Sequence, residues 1–492
     1  MLRSLPRCVI RAVAAGGVLF AASAASAQSA PPAGHEDEAF DLMNLLAQHG
    51  LHDVHDESWN LYGQFTYIGS YKAPFYAPYT NANGSINSLV PDGEYSFTGT
   101  LTLFFGLKLW PGAEAYFVPE LISERPLSQL RGIGGSIQNF ELQKGGSETP
   151  QLYRARTFLR QNINLGGEVT QKDSDPMQLA AKLARRRLVF TLGNFTILDV
   201  FDRNTVSWDP RQTFFNMTFM TYSSWDFPSD ARGYSWGGTA ELYWDDWVLR
   251  YGRITPPVNP NQLSIDFRLD KFYGDQWELE HDHKILGQEG AVRLLAFRNN
   301  VNTGRFDEAI AAFGADPSKN AADCPANVFS YQSGNARAPD MCWVRHPNVK
   351  VGIGVDAEQH ITKDIGVFVR AMYADGRSEV DAYNPADRSL SFGAVGKGSL
   401  WHRPFDVAGI GYGMSWISDI HAQYLALGGV DGFVGDGLLP HPGPESVFEV
   451  FYSFNLFKAL WISGDYQFLS NPGFNADRGP VHILGARVHA EF

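Results

Sequence analysis

The sequence predicts an all-β fold: a transmembrane, antiparallel, up-and-down β-barrel of about 16 strands. Three observations predict it. Period-two strands of about ten residues recur along the chain, and short turns alternate with long loops. The composition agrees, because 13% aromatic residues, 49 glycines and only 19% charged residues in 492 positions favour many strands and turns.

Apolar and polar residues alternate along the stretches 98–109, 349–357 and 446–456. The last eight residues, GARVHAEF, do the same. Their two faces carry Phe492, Ala490, Val488 and Ala486 on one side and Glu491, His489 and Arg487 on the other. In a barrel within a bilayer, the apolar face meets lipid and the charged face meets a water-filled lumen.

The connections between strands form a second pattern. Turns at Pro111-Gly112 and Asp245-Asp246 are very short. The long connections, rich in Gly, Pro, Asn, Asp and Ser, are predicted at 70–94, 123–151, 196–231, 301–348, 375–404, 428–444 and 470–479. A compact soluble domain rarely has so many long loops, whereas an outer-membrane barrel has short periplasmic turns and long outer loops. Of 16 or 17 candidate strands we expect 16, because such barrels have even numbers of strands and at this size enclose an aqueous channel.

The N-terminal region predicts export. Residues 1–27 begin with three arginines, continue into a short apolar stretch and end on Ala25-Ser26-Ala27, as a cleaved secretory signal does. An anchoring transmembrane helix is the alternative. Residues 28–58 are expected to form a periplasmic segment with a short helix within 36–50, followed by the barrel over 59–492. A docked tail, a plug and an oligomer contact all remain open for this helix.

Charge and cysteine content narrow the function further. The formal net charge of −13 disfavours a nucleic-acid partner. Cys324 and Cys342 remain after the signal is removed, and we expect them to form a disulfide outside the cytoplasm. Two unpaired thiols are the alternative. The sequence lacks the motifs G-x-S-x-G, H-E-x-x-H and the phosphate-binding loop, so we expect no catalytic residues, no metal site and no cofactor.

Four blocks of sequence resemble the carbohydrate-selective porin family of the OprB type: YRARTFLRQNINLGGE, GNFTILDVFDRNTVSWDPR, DARGYSWGGTAELYWDDWVLRYG and NADRGPVHILGARVHAEF. The resemblance runs from about residue 59 to the C-terminus. It implies a 16-stranded barrel in the outer membrane of Gram-negative bacteria through which monosaccharides such as glucose, and as a further class small oligosaccharides, diffuse inward. An anion- or phosphate-selective porin is the alternative, and an outer-membrane barrel enzyme is a lesser one.

The candidate site residues are charged or aromatic. Strand alternation over 153–161 predicts that Arg154, Arg156 and Arg160 face the lumen, where a guanidinium can donate hydrogen bonds to sugar hydroxyls. The long stretch after them is expected to fold inward and narrow the channel. Its candidate residues are Asp199, Asp202, Arg203, Asp209, Arg211 and Trp208, with Trp225 and Trp236 as further rings that could stack on sugars. Ion pairs that brace the wall are the alternative role for the charged residues, and an interfacial position is the alternative for the tryptophans.

The expected partners follow from this interpretation. They are outer-membrane lipid and lipopolysaccharide, sugars as permeant solutes, and the outer-membrane assembly machinery, which would recognise the final strand ending in Phe492. Association into a homo-oligomer remains open.

Overall fold

A computed structural model describes residues 42–143, 146–457 and 459–492. Within these residues, 16 antiparallel strands form a closed barrel, in which each strand pairs with its sequence neighbours and β1 pairs with β16. The predicted fold class and strand number are confirmed. The strands are β1 Trp59–Lys72, β2 Glu94–Trp110, β3 Ala113–Arg125, β4 Gln151–Lys172, β5 Ala181–Phe195, β6 Ser235–Trp244, β7 Trp247–Ile254, β8 Tyr273–Ile285, β9 Gln288–Thr303, β10 His346–Thr362, β11 Ile365–Ala374, β12 Arg388–Lys397, β13 Val407–Trp416, β14 Glu445–Phe457, β15 Leu460–Ser470 and β16 Val481–Glu491.

Three α-helices occur in the described residues: α1 Leu42–Gln48, α2 Phe306–Ala315 and α3 Asp419–Ala426. None of these helices has the length and apolar character needed to cross a membrane. The predicted short N-terminal helix is α1, which ends before Gly50 at φ 70°. Met43 of α1 is fully buried in a cluster with Tyr62 and Phe104, so the helix is docked on the barrel. The predicted signal lies outside the described residues.

The connections alternate in length as predicted. Two-residue turns join β2 to β3, β6 to β7, β8 to β9 and β10 to β11. One prediction about the long connections was wrong, and one long connection was missed. The stretch 375–404 contains β12, whose glycines and serines weaken the apolar alternation, and the Pro-rich stretch 255–272 is an additional long connection. β1 begins and β16 ends at one end of the barrel, and the long connections lie at the other end. Long connections mark the outer side of such a barrel, so the end that carries them is extracellular.

The two faces of the strands separate as predicted. Leu484 and Val488 are 58% and 37% exposed on the outer surface, whereas Arg487 and His489 are fully buried inside. Phe492 closes the barrel, because its backbone N–H donates to the Gly63 carbonyl at 2.8 Å and its carbonyl accepts from the Gly63 N–H at 2.6 Å. A Cβ on Gly63 would lie 2.2 Å from the Phe492 ring, so any larger residue there would displace the ring.

The connection from β5 to β6, residues 196–234, folds into the barrel, and we call it the inner loop. Its Phe214 ring packs against Phe368 of β11 and Phe451 of β14, with centroids 5.8 and 5.0 Å apart. Wall carboxylates bind its backbone as well, since Glu449 accepts hydrogen bonds from the N–H groups of Phe215 and Asn216 at 2.5 and 3.1 Å. The inner loop therefore fills the side of the barrel lined by β11–β15.

Candidate functional site: the channel lumen

An open cavity of about 1530 Å³ lies inside the barrel, beside the inner loop. Its wall comes from the inward-facing residues of β1–β10 and from Glu491 of β16, while the inner loop supplies the opposite side. The cavity reaches the short-turn end, where Arg185, Asp246 and Lys284 line it. It is the lumen of the barrel, and it contains most of the residues singled out in the sequence.

Seven of the nine predicted site residues line this cavity. They are Arg156, Arg160, Asp199, Arg203, Trp208, Asp209 and Arg211. The remaining two, Arg154 and Asp202, lie elsewhere for different reasons.

Arg154 faces outward, so the prediction that three arginines share one face is wrong at this position. The pairing of β3 with β4 shifts between Val118 and Pro119, which pair with Arg156 and Arg154 and leave Ala155 as an extra residue. This β-bulge turns the preceding side chain to the opposite face. The Arg154 guanidinium consequently lies 4.9 Å from the ring centroid of Trp236 on the outer surface.

Asp202 is fully buried between the inner loop and the wall. Its carboxylate accepts hydrogen bonds from Nε of Arg370 at 3.1 Å and from the Thr221 hydroxyl at 2.6 Å. Its backbone N–H donates to Glu278 at 2.8 Å. Because each of these contacts joins the inner loop to itself or to a strand, Asp202 anchors the loop and does not line the channel.

Arg156 and Asp199 form the principal contact between β4 and the inner loop. Nε and a terminal nitrogen of Arg156 donate to the two carboxylate oxygens of Asp199 at 2.7 and 2.9 Å. Asp199 also accepts from the backbone N–H of Thr196 at 3.2 Å, which fixes the short 3-10 turn where the loop begins. The side chains are 13% and 7% exposed, so the pair borders the lumen and fastens the loop at the same time.

Two further arginines in the lumen also have acceptors. A terminal nitrogen of Arg211 lies 3.2 Å from Glu141, and the same nitrogen lies 3.9 Å from Glu120. Arg160 donates to the carbonyl of Met177 at 2.8 Å and lies 3.8 Å from Glu114. The positive charges of Arg160 and Arg211 are therefore largely balanced by neighbouring carboxylates.

Arg203 is the exception among the predicted arginines. Its side chain is exposed to the lumen, and it donates one hydrogen bond, at 2.7 Å, to the backbone carbonyl of Asp199. Within the described part of the chain, no carboxylate lies within 4 Å of it. Its guanidinium carbon is 4.3 Å from the ring centroid of Trp208, which also lines the cavity. Arg203 and Trp208 thus present free donors and an aromatic face side by side.

The other two candidate tryptophans do not reach the lumen. Trp225 is fully buried, and its indole N–H donates to the side chain of Gln276 at 2.9 Å. Trp236 lies on the outer surface beneath Arg154. Trp208 alone of the three candidates is available to a solute in the channel.

The sequence analysis missed a charged ladder along the wall. Arginines on β7, β9 and β11 alternate with carboxylates on β6, β8 and β10. The ladder consists of Glu241, Arg250, Glu278, Glu280, Arg293, Asp356, Glu358 and Arg370. A usable signal was present, because Arg250, Arg293 and Arg370 are single charges in apolar stretches: VLRYG, AVRLLA and FVRAM.

Each inner arginine of the ladder contacts several acids. Arg250 lies 3.2 Å from Glu241, 2.6 Å from Glu278 and 3.1 Å from Glu280. Arg293 also binds Glu280, and it lies 2.8 Å from Asp356 and 3.0 Å from Glu358. Such a row of alternating charges sets up a local field across the lumen.

The two cysteines lie in the connection between β9 and β10 and do not line the cavity. Their sulfurs are 2.03 Å apart, as in a disulfide. Among the described residues, the one cluster of potential metal ligands is Cys324, Asp340 and Cys342. Because its two sulfurs are joined to each other, this cluster has no free thiolate to offer a metal.

Comparison with known proteins identifies the family. The model described as "Carbohydrate-selective porin, OprB family" matches residues 87–492. The chain belongs to the OprB family. This is a porin family, so the chain is an outer-membrane β-barrel porin and not an enzyme.

A solved OprB structure agrees with this fold. A structure of OprB from Pseudomonas putida at high pH superposes with a TM-score of 0.64 at 16% identity, covering 91% of this chain and 97% of that one. The channel DcaP of Acinetobacter baumannii gives a TM-score of 0.44 at 12% identity, covering 88% and 97%. The comparison with curated proteins found no match.

Proposed function

We propose that this OprB-family porin is a passive channel through which monosaccharides such as glucose, and small oligosaccharides, diffuse into the periplasm. Membership of the OprB family, described as carbohydrate-selective, supports sugars as the class of solute. The cavity of about 1530 Å³ inside the barrel supports a path for such solutes. The residues in the lumen provide hydrogen-bond donors, acceptors and an aromatic face, which are the groups that a sugar ring with its hydroxyls can use.

The observation that carries this proposal is the balance of charge in the cavity. The described residues that line it include eleven arginines and lysines and thirteen aspartates and glutamates. A lining of mixed sign offers many polar contacts to a neutral solute. It gives no overall attraction to an anion, because each added positive potential is opposed by a nearby negative one.

The anion- or phosphate-selective alternative would need uncompensated arginines in the channel. Arg156 and Arg211 both have carboxylate partners, and only Arg203 of the lumen arginines from the sequence analysis has its guanidinium free of one. Arg187 and Arg232 also line the cavity and, among the described residues, have no carboxylate within 4 Å. Arg203 beside Trp208 suits a neutral ring, which can donate and accept hydrogen bonds and also stack. Because acidic side chains outnumber basic ones over the whole lining, the balance of charge favours sugars over phosphate.

The test compares three solutes of nearly equal size and different charge, together with the smaller inorganic phosphate. Purified protein in liposomes is exposed to glucose, glucosamine, gluconate and inorganic phosphate, and swelling rates report entry. Glucose should enter fastest, and added glucose should block ion current through single channels. Faster entry of gluconate and phosphate than of glucose would reject the proposal and support the anion channel. Maltose in the same assay measures whether small oligosaccharides also pass.

A further inference from the structure

Arginines gather on the outer surface of the barrel near its extracellular rim. Arg154 on β4, Arg253 on β7 and Arg298 on β9 all face outward. Each lies over an outward aromatic ring: Arg154 is 4.9 Å from Trp236, and Arg253 and Arg298 are 4.0 and 5.7 Å from Tyr273. We call these five residues the rim cluster.

The rim cluster carries uncompensated positive charge. Arg253 forms two hydrogen bonds with Asp275, at 2.7 and 2.8 Å. Arg298 donates to the Tyr273 hydroxyl at 2.8 Å, but among the described residues no carboxylate lies within 4 Å of Arg298 or Arg154. Three guanidiniums thus face one carboxylate, on a chain whose formal net charge is −13.

The position of the rim cluster relative to the bilayer follows from its neighbours. Tyr251 on β7 and Trp277 on β8 lie two strand residues closer to the membrane centre than Arg253 and Asp275. Both face outward, and their ring centroids are 5.8 Å apart. Outward aromatic pairs of this kind mark the girdle at the membrane interface. Two strand residues span about 6.6 Å, so Arg253 and Arg298, which both lie opposite Asp275, are just beyond the girdle, at the depth of the lipid headgroups. Arg154 lies near the start of β4, at the extracellular end.

We propose that the rim cluster binds the phosphate groups of phosphorylated glycolipid in the outer leaflet, which is lipopolysaccharide. A guanidinium presents two parallel N–H donors that match two phosphate oxygens. The aromatic ring beneath each arginine holds the guanidinium in place, and the surrounding headgroup layer provides the anionic partner. This inference rests on the outer-membrane location and is independent of which solute the lumen admits.

A matched arginine at the other rim provides the control. Arg186 also faces outward, and its guanidinium lies 4.9 Å from the ring of Trp244. It is at the periplasmic end, however, and forms an ion pair with Asp245 at 2.7 Å. Replacing it removes an arginine over an aromatic ring whose charge Asp245 already balances, so its loss should not weaken phosphate binding.

The experiment uses the whole protein in detergent. Native mass spectrometry measures binding of lipopolysaccharide, and of the same preparation after removal of its lipid A phosphates, to wild type, to the double variant Arg154→Gln/Arg298→Gln and to Arg186→Gln. The double variant should bind the phosphorylated form at least tenfold more weakly, while Arg186→Gln should match wild type. The dephosphorylated form should bind wild type as weakly as the intact form binds the double variant.

Three results would overturn the proposal. Equal binding of intact lipopolysaccharide to all three proteins would show that the rim cluster makes no contact with it. Equal binding of both lipid forms to wild type would exclude the phosphates. A loss of oligomers in the double variant with unchanged lipid binding would make the cluster a subunit contact. If the double variant does not fold, inorganic pyrophosphate is added to wild-type protein with bound lipopolysaccharide. Displacement of the lipopolysaccharide supports the site, and a failure to displace it rejects the site.

Discussion

The carboxylate of Asp199 accepts two hydrogen bonds from the guanidinium of Arg156, at 2.7 and 2.9 Å, and so ties the first turn of the inner loop to strand β4. Both side chains border the lumen. From the sequence, lining the channel and bracing the wall are alternative roles for Arg156. In the structure, Arg156 borders the lumen and also holds the inner loop to β4. The width of the channel at this level depends on how firmly the loop is held.

The first prediction concerns this pair. Arg156→Gln leaves the nearly buried Asp199 carboxylate without its cation, and such a loss costs about 3 to 5 kcal/mol locally. The start of the inner loop should move, and single-channel conductance should rise while glucose block weakens. The double variant Arg156→Gln/Asp199→Asn also removes the unpaired charge, so it should recover part of this loss, and its conductance should lie between those of the single variant and wild type. Unchanged conductance in both variants would show that other contacts alone hold the loop.

The second prediction concerns Arg203, which has a free guanidinium beside Trp208. Replacing it with Gln removes charge-assisted hydrogen bonds worth about 1.5 to 3 kcal/mol each, so apparent affinity for glucose in a current-block assay should fall about tenfold. Heat resistance in detergent should not change, because the side chain joins no strands. Trp208→Ala should weaken block as well. A variant that loses heat resistance but keeps sugar block would assign Arg203 to the framework.

The third prediction concerns the charged ladder. Arg293 contacts Glu280, Asp356 and Glu358, and its side chain is 3% exposed. Arg293→Met would leave Glu358 without a cation, while Glu280 and Asp356 keep Arg250 and Arg370. Loss of one partner of such a buried pair should cost about 3 to 5 kcal/mol, seen as a lower unfolding temperature in detergent. The control is Arg185→Met at the periplasmic mouth. Its partner Asp246 is 61% exposed, and exposed pairs contribute about 0.2 to 1 kcal/mol. Equal heat resistance of the two variants would contradict a stabilising ladder.

The barrel was predictable because strand alternation and loop length are local signals. The apolar faces of 98–109 and 446–456 lie within β2 and β14. β12 escaped detection because RSLSFGAVGK has small residues where apolar ones would mark a face. The weak alternation is tolerated because pairing with β11 and β13 satisfies its backbone on both edges.

The site was predictable only in part, because some of the features that build it leave no signal in the local sequence. Strand alternation placed Arg156 and Arg160 correctly, but a single bulge at Ala155 reversed Arg154. Nothing in the residues around Asp202 indicates that Arg370, 168 positions away, would pair with it. Bulges and long-range ion pairs arise from how strands meet, so they become visible only in the folded barrel.

The fourth prediction concerns Cys324 and Cys342, whose sulfurs lie within bonding distance. Thiol labelling of the denatured, unreduced protein should be negative, and reduction should expose both sites. Closing an 18-residue separation is worth about 3 kcal/mol in the chain-entropy model. The paired variant Cys324→Ser/Cys342→Ser should therefore become sensitive to protease in the connection 304–345, while the barrel remains folded. Labelling at both cysteines without reductant would contradict the pairing.

The fifth prediction concerns pH and the extracellular connection 417–444, which carries Asp431. Burial raises the pKa of the Asp431 carboxyl to about 7. It accepts a hydrogen bond from the Val380 N–H at 3.0 Å. The charged groups around it are His421 at 3.3 Å, Lys350 and Glu379. Lys350 and His421 oppose the rise in pKa, and Glu379 adds to it.

An acid whose pKa is raised in the docked connection binds its proton more tightly there than in the undocked one. Docking should therefore weaken as the pH rises from about 4, the usual pKa of aspartate, through about 7, and change little above that. Hydrogen–deuterium exchange, corrected for intrinsic rates, should show more protection of residues 417–444 at pH 5 than at pH 8. Asp431→Asn keeps the shape of the side chain but cannot ionise, so its protection should be the same at both values. A wild-type difference that persists in Asp431→Asn would assign the pH response to His421 or another group.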